Sequence, residues 1–122
     1  FEKVVSLAPS PYNGLCYCQG ALAPAGVDVE VGIRKLAPHI HYAHFRNVSG
    51  TAGNFRETFH DNGDLDMAAL MRAYKESGFT GPMRPDHAPS LAGESNETPG
   101  YETLGKLHAI GYMKGLYEAA QS

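Results

Sequence analysis

The sequence predicts an α/β fold that forms part of a larger parallel sheet, either a barrel or a doubly wound sheet. Patterns typical of helices alternate along the chain with short runs typical of strands, as in parallel α/β folds. The 122 residues can bury one hydrophobic core, whereas a complete (β/α)8 barrel needs about 250. Three parallel strands alone would leave two edges and part of a sheet face uncovered. We therefore expect residues 1–122 to form a single partial domain of about three β/α units.

The first half of the chain predicts a helix, a strand and a second helix. Residues 1–8 have the pattern of the end of a helix, which stops at Pro9. Leu15 to Gln19 form a short apolar run that indicates a buried strand. A loop that contains glycine and proline follows. Apolar residues at helical spacing before Pro38 then indicate the second helix: Val29, Ile33 and Leu36.

The middle of the chain contains the clearest strand. Ile40 to Val48 is rich in aromatic and β-prone residues. The polar stretch from Ser49 to Asp64 is expected to be a long loop, and long loops in compact domains are often functional. A helix capped by Asp64 or Asp66 follows and ends at Gly78. Its apolar face contains Met67, Leu70, Met71 and Tyr74.

The end of the chain predicts a third strand and a last helix. Gly81 to Asp86 is the strand, residues 87–100 form a loop, and the helix runs from about Tyr101 to Ala120. The chain begins inside a helical pattern without a capping residue, and it contains 14 glycines and 8 prolines. We therefore expect it to be cut from a larger protein.

Composition argues against several classes of function. The net charge is −3 and no basic run occurs, so the charge pattern of a nucleic-acid-binding protein is missing. The apolar runs are far shorter than the roughly 20 residues that span a bilayer, and no secretory signal pattern opens the chain. Cys16 and Cys18 are too close to form an unstrained disulfide. This favours a reducing compartment such as the cytoplasm.

Metal-binding side chains lie near the ends of all three predicted strands. Cys18, His44 and Asp86 would meet at one edge, because parallel strands point their carboxyl ends the same way. A thiolate, an imidazole and a carboxylate suit Mn²⁺, Fe²⁺ or Zn²⁺ better than Ca²⁺ or Mg²⁺. The same strand ends carry further polar side chains: Arg46, Asn47, Arg84 and His87.

Each candidate ligand also has a structural interpretation. Cys18 could be a small buried hydrophobe, and His44 a hydrogen-bonded core histidine. Asp86, after Pro85, could turn or cap the chain. What favours the metal site is the joint position of the three residues. We assign the remaining histidines considered, His39, His41, His60 and His108, to structure or surface.

Four segments of the chain resemble the mannonate dehydratase family in order and spacing. They are PSPYNGLCYCQG at 9–20, HFRNV at 44–48, RPDH at 84–87 and NETPGY at 96–101. The resemblance covers essentially the whole chain and implies strands six to eight of a xylose-isomerase-like TIM barrel, the C-terminal part of a (β/α)8 fold. It implies a lyase of hexuronate catabolism that converts D-mannonate to 2-keto-3-deoxy-D-gluconate and water with Mn²⁺ or Fe²⁺.

The resemblance also implies roles for individual residues. Metal ligands of the family correspond to Cys18, His44 and Asp86. Residues that transfer protons correspond to His87 and Tyr101. We add the hypothesis that arginine forks hold the substrate carboxylate, and the expected substrate-binding residues are Arg46, Asn47 and Arg84.

The resemblance implies a further histidine ligand from a strand upstream of this chain. We therefore expect the chain alone to be a poor catalyst or none. One alternative is a related sugar isomerase or epimerase, although Cys18 argues against it. Another is a non-catalytic piece that forms a homo-oligomer or associates with the missing N-terminal part. A plain metal-binding module is the weakest alternative.

Overall fold

The computed structural model describes residues 1–121. Two 3-10 turns, Ala23–Ala25 and Ala37–His39, continue the second and third helices. In chain order, the helices and strands are α1 (Glu2–Leu7), β1 (Leu15–Cys18), α2 (Gln19–Leu22), α3 (Val29–Leu36), β2 (Ile40–His44), β3 (Val48–Thr51), β4 (Asn54–Glu57), α4 (Met67–Glu76), β5 (Met83–Arg84) and α5 (Thr103–Gln121).

Three strands form a parallel sheet in the order β1–β2–β5. This confirms the predicted α/β class. The register aligns the strand ends, since Cys18 pairs with His44 and His44 pairs with Arg84. The carboxyl ends of all three strands therefore meet at one edge of the sheet, as the sequence predicted.

The core lies where α3 and α4 pack against the sheet. It includes Tyr17 on β1, Ala43 on β2 and Phe45, the residue directly after β2, all at most 1% exposed. The helices contribute Val29, Ile33, Leu36, Met67, Leu70, Met71 and Tyr74. These were the apolar faces predicted from helical spacing. Burial also raises the pKa of Tyr17 to about 12, which keeps this core phenol protonated.

Side-chain caps fix where the two core helices begin. Asp28 accepts a hydrogen bond from the backbone N–H of Val31, and Asp66 accepts one from Ala69, at 3.1 and 2.9 Å. The cap of α4 is therefore Asp66, the second of the two predicted candidates. The other, Asp64, instead accepts hydrogen bonds from Ser49 and Gly50, which lie on β3.

The structure corrects the predicted strand over Ile40–Val48 and the loop after it. The parallel strand ends at His44, and Val48 already belongs to the antiparallel hairpin β3–β4. This hairpin occupies the first half of the stretch that we predicted to be an irregular loop. Its turn lies at Ala52 and Gly53, where Gly53 has φ +82°.

The third parallel strand is shorter than predicted. Only Met83 and Arg84 of the Gly81–Asp86 segment pair with β2. Pro82 and Pro85 flank this pair, and proline has no backbone N–H for a ladder. The strand therefore ends before Asp86, and Asp86 lies in the following loop.

Helix α5 covers the sheet incompletely. Only Gly105, Ala109 and Met113 of its 19 residues are buried, whereas four large apolar side chains are exposed: Leu104, Leu107, Ile110 and Tyr117. Strands β1 and β5 are the two edges of the three-stranded sheet. Within residues 1–121, no helix is both long enough and apolar enough to cross a membrane.

Candidate active site

Cys18, His44 and Asp86 lie together at the carboxyl edge of the parallel sheet, and we call them the strand-end cluster. Asp86 Oδ1 is 3.4 Å from His44 Nδ1, and its Oδ2 is 3.9 Å from Cys18 Sγ. The three potential ligand atoms all lie within 4.8 Å of one another. The structure therefore brings together the three ligands that the sequence predicted, in a group that could hold a metal ion.

The backbone explains how the third residue reaches the other two. Cys18 and His44 are the last residues of adjacent paired strands. Asp86 lies two residues beyond β5, and its φ of +62° places it in the left-handed region. Aspartate tolerates this conformation better than most residues. A backbone conformation of this kind at a candidate ligand is typical of functional sites.

The chemistry of the cluster fits a divalent transition metal. Asp86 is buried, while Cys18 and His44 are half-buried, so the group is open on one side. A sulfur, a nitrogen and an oxygen ligand with an open position suit Mn²⁺, Fe²⁺ or Zn²⁺. Two guanidinium groups also approach the Asp86 carboxylate, Arg46 at 3.9 Å and Arg84 at 3.7 Å.

His87 and Tyr101 form a hydrogen-bonded pair beside the strand-end cluster. His87 Nε2 lies 2.7 Å from Tyr101 Oη, and the two rings meet edge to face with centroids 4.9 Å apart. His87 Nε2 is also 3.9 Å from the Asp86 carboxylate. We call His87 and Tyr101 the loop pair, because both lie outside the helices and strands. The strand-end cluster and the loop pair thus form one continuous site.

Glu57, for which the sequence predicted no role, joins two of the predicted residues, Arg46 and His87. Its carboxylate accepts two hydrogen bonds from the Arg46 guanidinium, and the one donated by Nε is 2.9 Å long. The same carboxylate lies 3.4 Å from His87 Nδ1. The only sequence signal was that Glu57 belongs to the 49–64 stretch, which we expected to be a long loop, a kind of segment that is often functional. That stretch contains other acidic residues as well.

Arg46 is held in place by its surroundings. Its side chain is buried under Gly20, where an added Cβ would come within 2.7 Å of the Arg46 Cγ. Burial alone would lower the pKa of Arg46, but the ion pair with Glu57 raises it overall. The guanidinium fork that we expected to hold a substrate carboxylate is therefore already bound by Glu57.

Asn47 differs from its expected role as a substrate ligand. The side chain is 1% exposed. Its oxygen accepts hydrogen bonds from the N–H groups of Val48 and Leu65, and its nitrogen donates to the carbonyls of His60 and Leu65. All its hydrogen-bonding capacity is used. The structure thus gives Asn47 a scaffold role in place of a contact with substrate.

His60 is buried below the site. It is fully buried and its Nε2 lies 3.0 Å from the carbonyl of Pro85. Burial lowers the pKa of His60. This neutral side chain ties the loop after the hairpin to the residue before Asp86, in agreement with the structural role predicted for it.

Arg84 is the more open of the two predicted arginines. Its side chain is 39% exposed, compared with 9% for Arg46. Lys106 lies nearby, with its Nζ 4.2 Å from the centre of the Tyr101 ring. Burial and the charge of Arg84 lower the pKa of Lys106. Lys106 thus adjoins the loop pair and Arg84 adjoins Asp86, and the two cations could attract an anionic substrate.

Comparison of the sequence with known families gives one match over its whole length. The family described as D-mannonate dehydratase (UxuA) matches residues 1–122. The chain is 38% identical over 125 residues to the mannonate dehydratase of Enterococcus faecalis. It is 37% identical over 127 residues to mannonate dehydratase 2 of Halalkalibacterium halodurans. Each alignment covers 99% of this chain but only 35% and 36% of the relative.

Solved structures agree with the sequence relatives. The crystal structure of mannonate dehydratase from Streptococcus suis superposes with a TM-score of 0.92 at 33% identity, over 98% of this chain and 36% of that one. A xylose isomerase domain protein from Planctomyces limnophilus gives a TM-score of 0.77 at 17% identity, over 98% of this chain and 43% of that one. The second likeness shows the fold alone. The architecture is that of part of a TIM barrel, and the chain spans about a third of the length of its curated relatives.

Proposed function

Because the chain belongs to the D-mannonate dehydratase family, we propose that it forms the catalytic C-terminal part of a barrel that converts D-mannonate to 2-keto-3-deoxy-D-gluconate and water. The observation that carries this proposal is the strand-end cluster lying directly beside the loop pair. A dehydration α to a carboxylate needs both charge stabilisation and proton transfer. The two groups offer these in one place.

The proposed ligands of the metal are Cys18, His44 and Asp86. When bound, Mn²⁺ or Fe²⁺ would stabilise the negative charge that develops on the substrate oxygens as the proton leaves. The free thiol of Cys18 is compatible with a reducing location, and we propose the cytoplasm. We propose that the fourth protein ligand comes from outside this chain.

Arg84 is the proposed partner of the substrate carboxylate. Its guanidinium is open to solvent at the edge of the site and presents a planar fork. Arg46, which we also predicted for this role, has its fork bound by Glu57. We propose that Arg46 acts on substrate mainly through the positive charge that it adds near Asp86.

His87 and Tyr101 are the proposed proton-transfer residues. One of them takes the proton from C2, and the other protonates the hydroxyl that leaves from C3. Their 2.7 Å hydrogen bond allows a proton to pass between them. The balanced outcome is the loss of one water and the formation of an enol, which then becomes the 2-keto product.

The isolated chain is proposed to be a poor catalyst. Its relatives are about three times as long, so five strands of a barrel would have to come from elsewhere. The two edges of the sheet and the apolar face of α5 are exposed. Water can enter a site that is open in this way, which weakens its electrostatic interactions.

A chimeric enzyme tests this proposal. The chain would replace the matching third of the Streptococcus suis mannonate dehydratase, since the two superpose closely. With Mn²⁺, the chimera should dehydrate D-mannonate, and the chimera with Cys18→Ser should lose nearly all turnover. The chimera with Cys16→Ser is the matched control on the same strand. A folded chimera without activity, or equal activity in the Cys18→Ser form, would contradict the proposal.

A non-catalytic assembly piece is the second candidate function. The exposed apolar side chains of α5, such as Leu107 and Tyr117, favour it. Under this alternative the chain would form a homo-oligomer that binds no metal and survives Cys18→Ser. The mass of the chain in solution, measured with and without Mn²⁺, separates the two candidates. A related sugar isomerase is disfavoured, because only the fold is shared with the xylose isomerase domain.

A further inference from the structure

Glu57 connects a buried cation to the loop pair. It is the last residue of β4 and lies between Arg46 and His87. Its carboxylate faces the guanidinium on one side and the Nδ1 atom of the His87 ring on the other. None of the residues to which we assigned chemistry from the sequence contacts His87 Nδ1. The contact therefore adds a residue to the site.

The position of the Glu57 carboxylate is fixed from two directions. Arg46 forms a two-point ion pair with it and has little room to move, because the Arg46 stem packs on Gly20. The hairpin that carries Glu57 is itself anchored, since Asp64 accepts hydrogen bonds from Ser49 Oγ and the Gly50 N–H, both at 2.8 Å. An acceptor held in this way can orient a neighbouring donor.

The chemistry of the two groups dictates which atom carries the proton. A carboxylate that pairs with a guanidinium is ionised and can only accept hydrogen bonds. Nδ1 of His87 must therefore be the donor in its contact with Glu57. In a neutral imidazole the other nitrogen, Nε2, is then an acceptor. The Tyr101 hydroxyl, 2.7 Å away, donates to it.

We propose that Glu57 is a positioning residue that keeps the proton of His87 on Nδ1 and so leaves Nε2 as the acceptor facing Tyr101. The catalytic meaning of this inference rests on the proposed dehydration. A histidine in the other tautomer would present an N–H to Tyr101 and could not receive a proton at that atom. Glu57 would thus act on turnover through His87, without touching the substrate.

The proposal is tested by determining the tautomer of His87 by NMR in the full chain labelled with ¹⁵N-histidine. Long-range ¹H–¹⁵N spectra distinguish Nδ1–H from Nε2–H. The wild-type ring should be protonated on Nδ1. In Glu57→Ala the ring should shift to a mixture rich in Nε2–H, while Glu57→Gln, whose carbonyl still accepts a hydrogen bond, should keep most of the Nδ1–H form. Arg56→Gln, a neighbour on the exposed face of β4, is the matched control and should resemble the wild type.

Kinetics of the same variants in the chimeric enzyme give a second readout. Glu57→Ala should lower kcat about 10–100-fold with KM changed little, and Glu57→Gln should recover part of that loss. A wild-type ring protonated on Nε2, or a tautomer unchanged in both Glu57 variants, would overturn the proposal. If the tautomers behave as expected but the chimera makes no product, the positioning role stands and the dehydration proposal fails. If Glu57→Ala does not fold, the wild-type spectrum decides, because protonation on Nδ1 is the expected result and protonation on Nε2 overturns the proposal.

Discussion

The two halves of the site are built on different scaffolds. The strand-end cluster lies on paired parallel strands and on the first residues after them. The neighbouring residues Tyr17, Ala43 and Phe45 lie in the apolar core. The loop pair depends on buried polar groups instead, since Asn47, His60 and the Arg46–Glu57 pair hold the surrounding loops. Sheet pairing aligns side chains by register, whereas a loop needs its own hydrogen bonds to be held. We therefore expect the two halves to fail in different ways.

The largest expected effect concerns the metal. Asp86→Asn keeps the side-chain shape and tolerates the positive φ, but it removes the carboxylate of the strand-end cluster. Affinity for Mn²⁺ should fall about 100-fold or more, because even the loss of a supporting partner costs about 10–100-fold. Isothermal titration measures it, with Asp61→Asn on the surface as the control. Equal affinity in the two variants would show that the cluster does not bind the metal.

The next effect concerns the polar scaffold of the loops. Asn47→Ala leaves the buried N–H of Val48 and the half-buried N–H of Leu65 without their acceptor. The free energy of unfolding should fall by about 2–4 kcal/mol, because each unsatisfied buried group costs about 1–3 kcal/mol. Urea denaturation measures the change, and the exposed Asn62→Ala should stay within about 0.5 kcal/mol of the wild type. A small effect of Asn47→Ala would mean that the loops are held by other contacts.

A third prediction concerns the pH dependence of stability, which should be controlled from the loop side of the site by His60. Burial lowers the pKa of His60 in the folded chain below its ordinary value of 6.5, so the unfolded chain binds this proton more readily. Stability should therefore be full above pH 6.5 and fall as the pH drops below it, by at most about 1.4 kcal/mol per pH unit for one proton. His60→Gln should flatten this part of the curve. The exposed His39→Gln should leave it unchanged, and a curve with the same slope in both variants would refute the assignment.

The smallest effect is expected on the strand side. Asp66→Ala removes the cap of α4, the helix that packs on the sheet, and should cost about 1 kcal/mol. Asp66→Asn should cost much less, because asparagine is an equally good cap. Thermal unfolding of both variants measures the difference. Mn²⁺ affinity should not change in either, and a parallel loss of metal binding would show that α4 controls the cluster more closely than the packing indicates.

The same contrast explains what could be predicted from the sequence. Alternation along strands and the shared direction of parallel strands placed Cys18 and His44 at one edge, and the structure agrees. Tyr101 was predicted from the resemblance of short motifs to a known family. Periodicity in the sequence does not reveal that it lies next to His87. Strand-borne positions follow from local rules of register.

The loop side could not be predicted in this way. Glu57 reaches His87 only because residues 48–57 fold into a hairpin, and we had predicted an irregular loop there. Asn47 was expected to bind substrate because it follows a strand end, yet backbone groups use all its hydrogen bonds, and three of the four come from His60 and Leu65, which are distant in sequence. Both depend on contacts across ten residues or more, which composition and spacing do not encode.

The most direct test of the strand-end cluster is the absorption spectrum of the chain with excess Co²⁺. A cobalt ion bound by a thiolate shows a charge-transfer band in the near ultraviolet, so the band reports Cys18 as a ligand. We expect the band in the wild type and in Cys16→Ser, because Cys16 is exposed and lies two residues before the strand end. We expect no band in Cys18→Ser. A band that survives Cys18→Ser, or the absence of any thiolate band in the wild type, would contradict the claim that these three strand ends form a metal site.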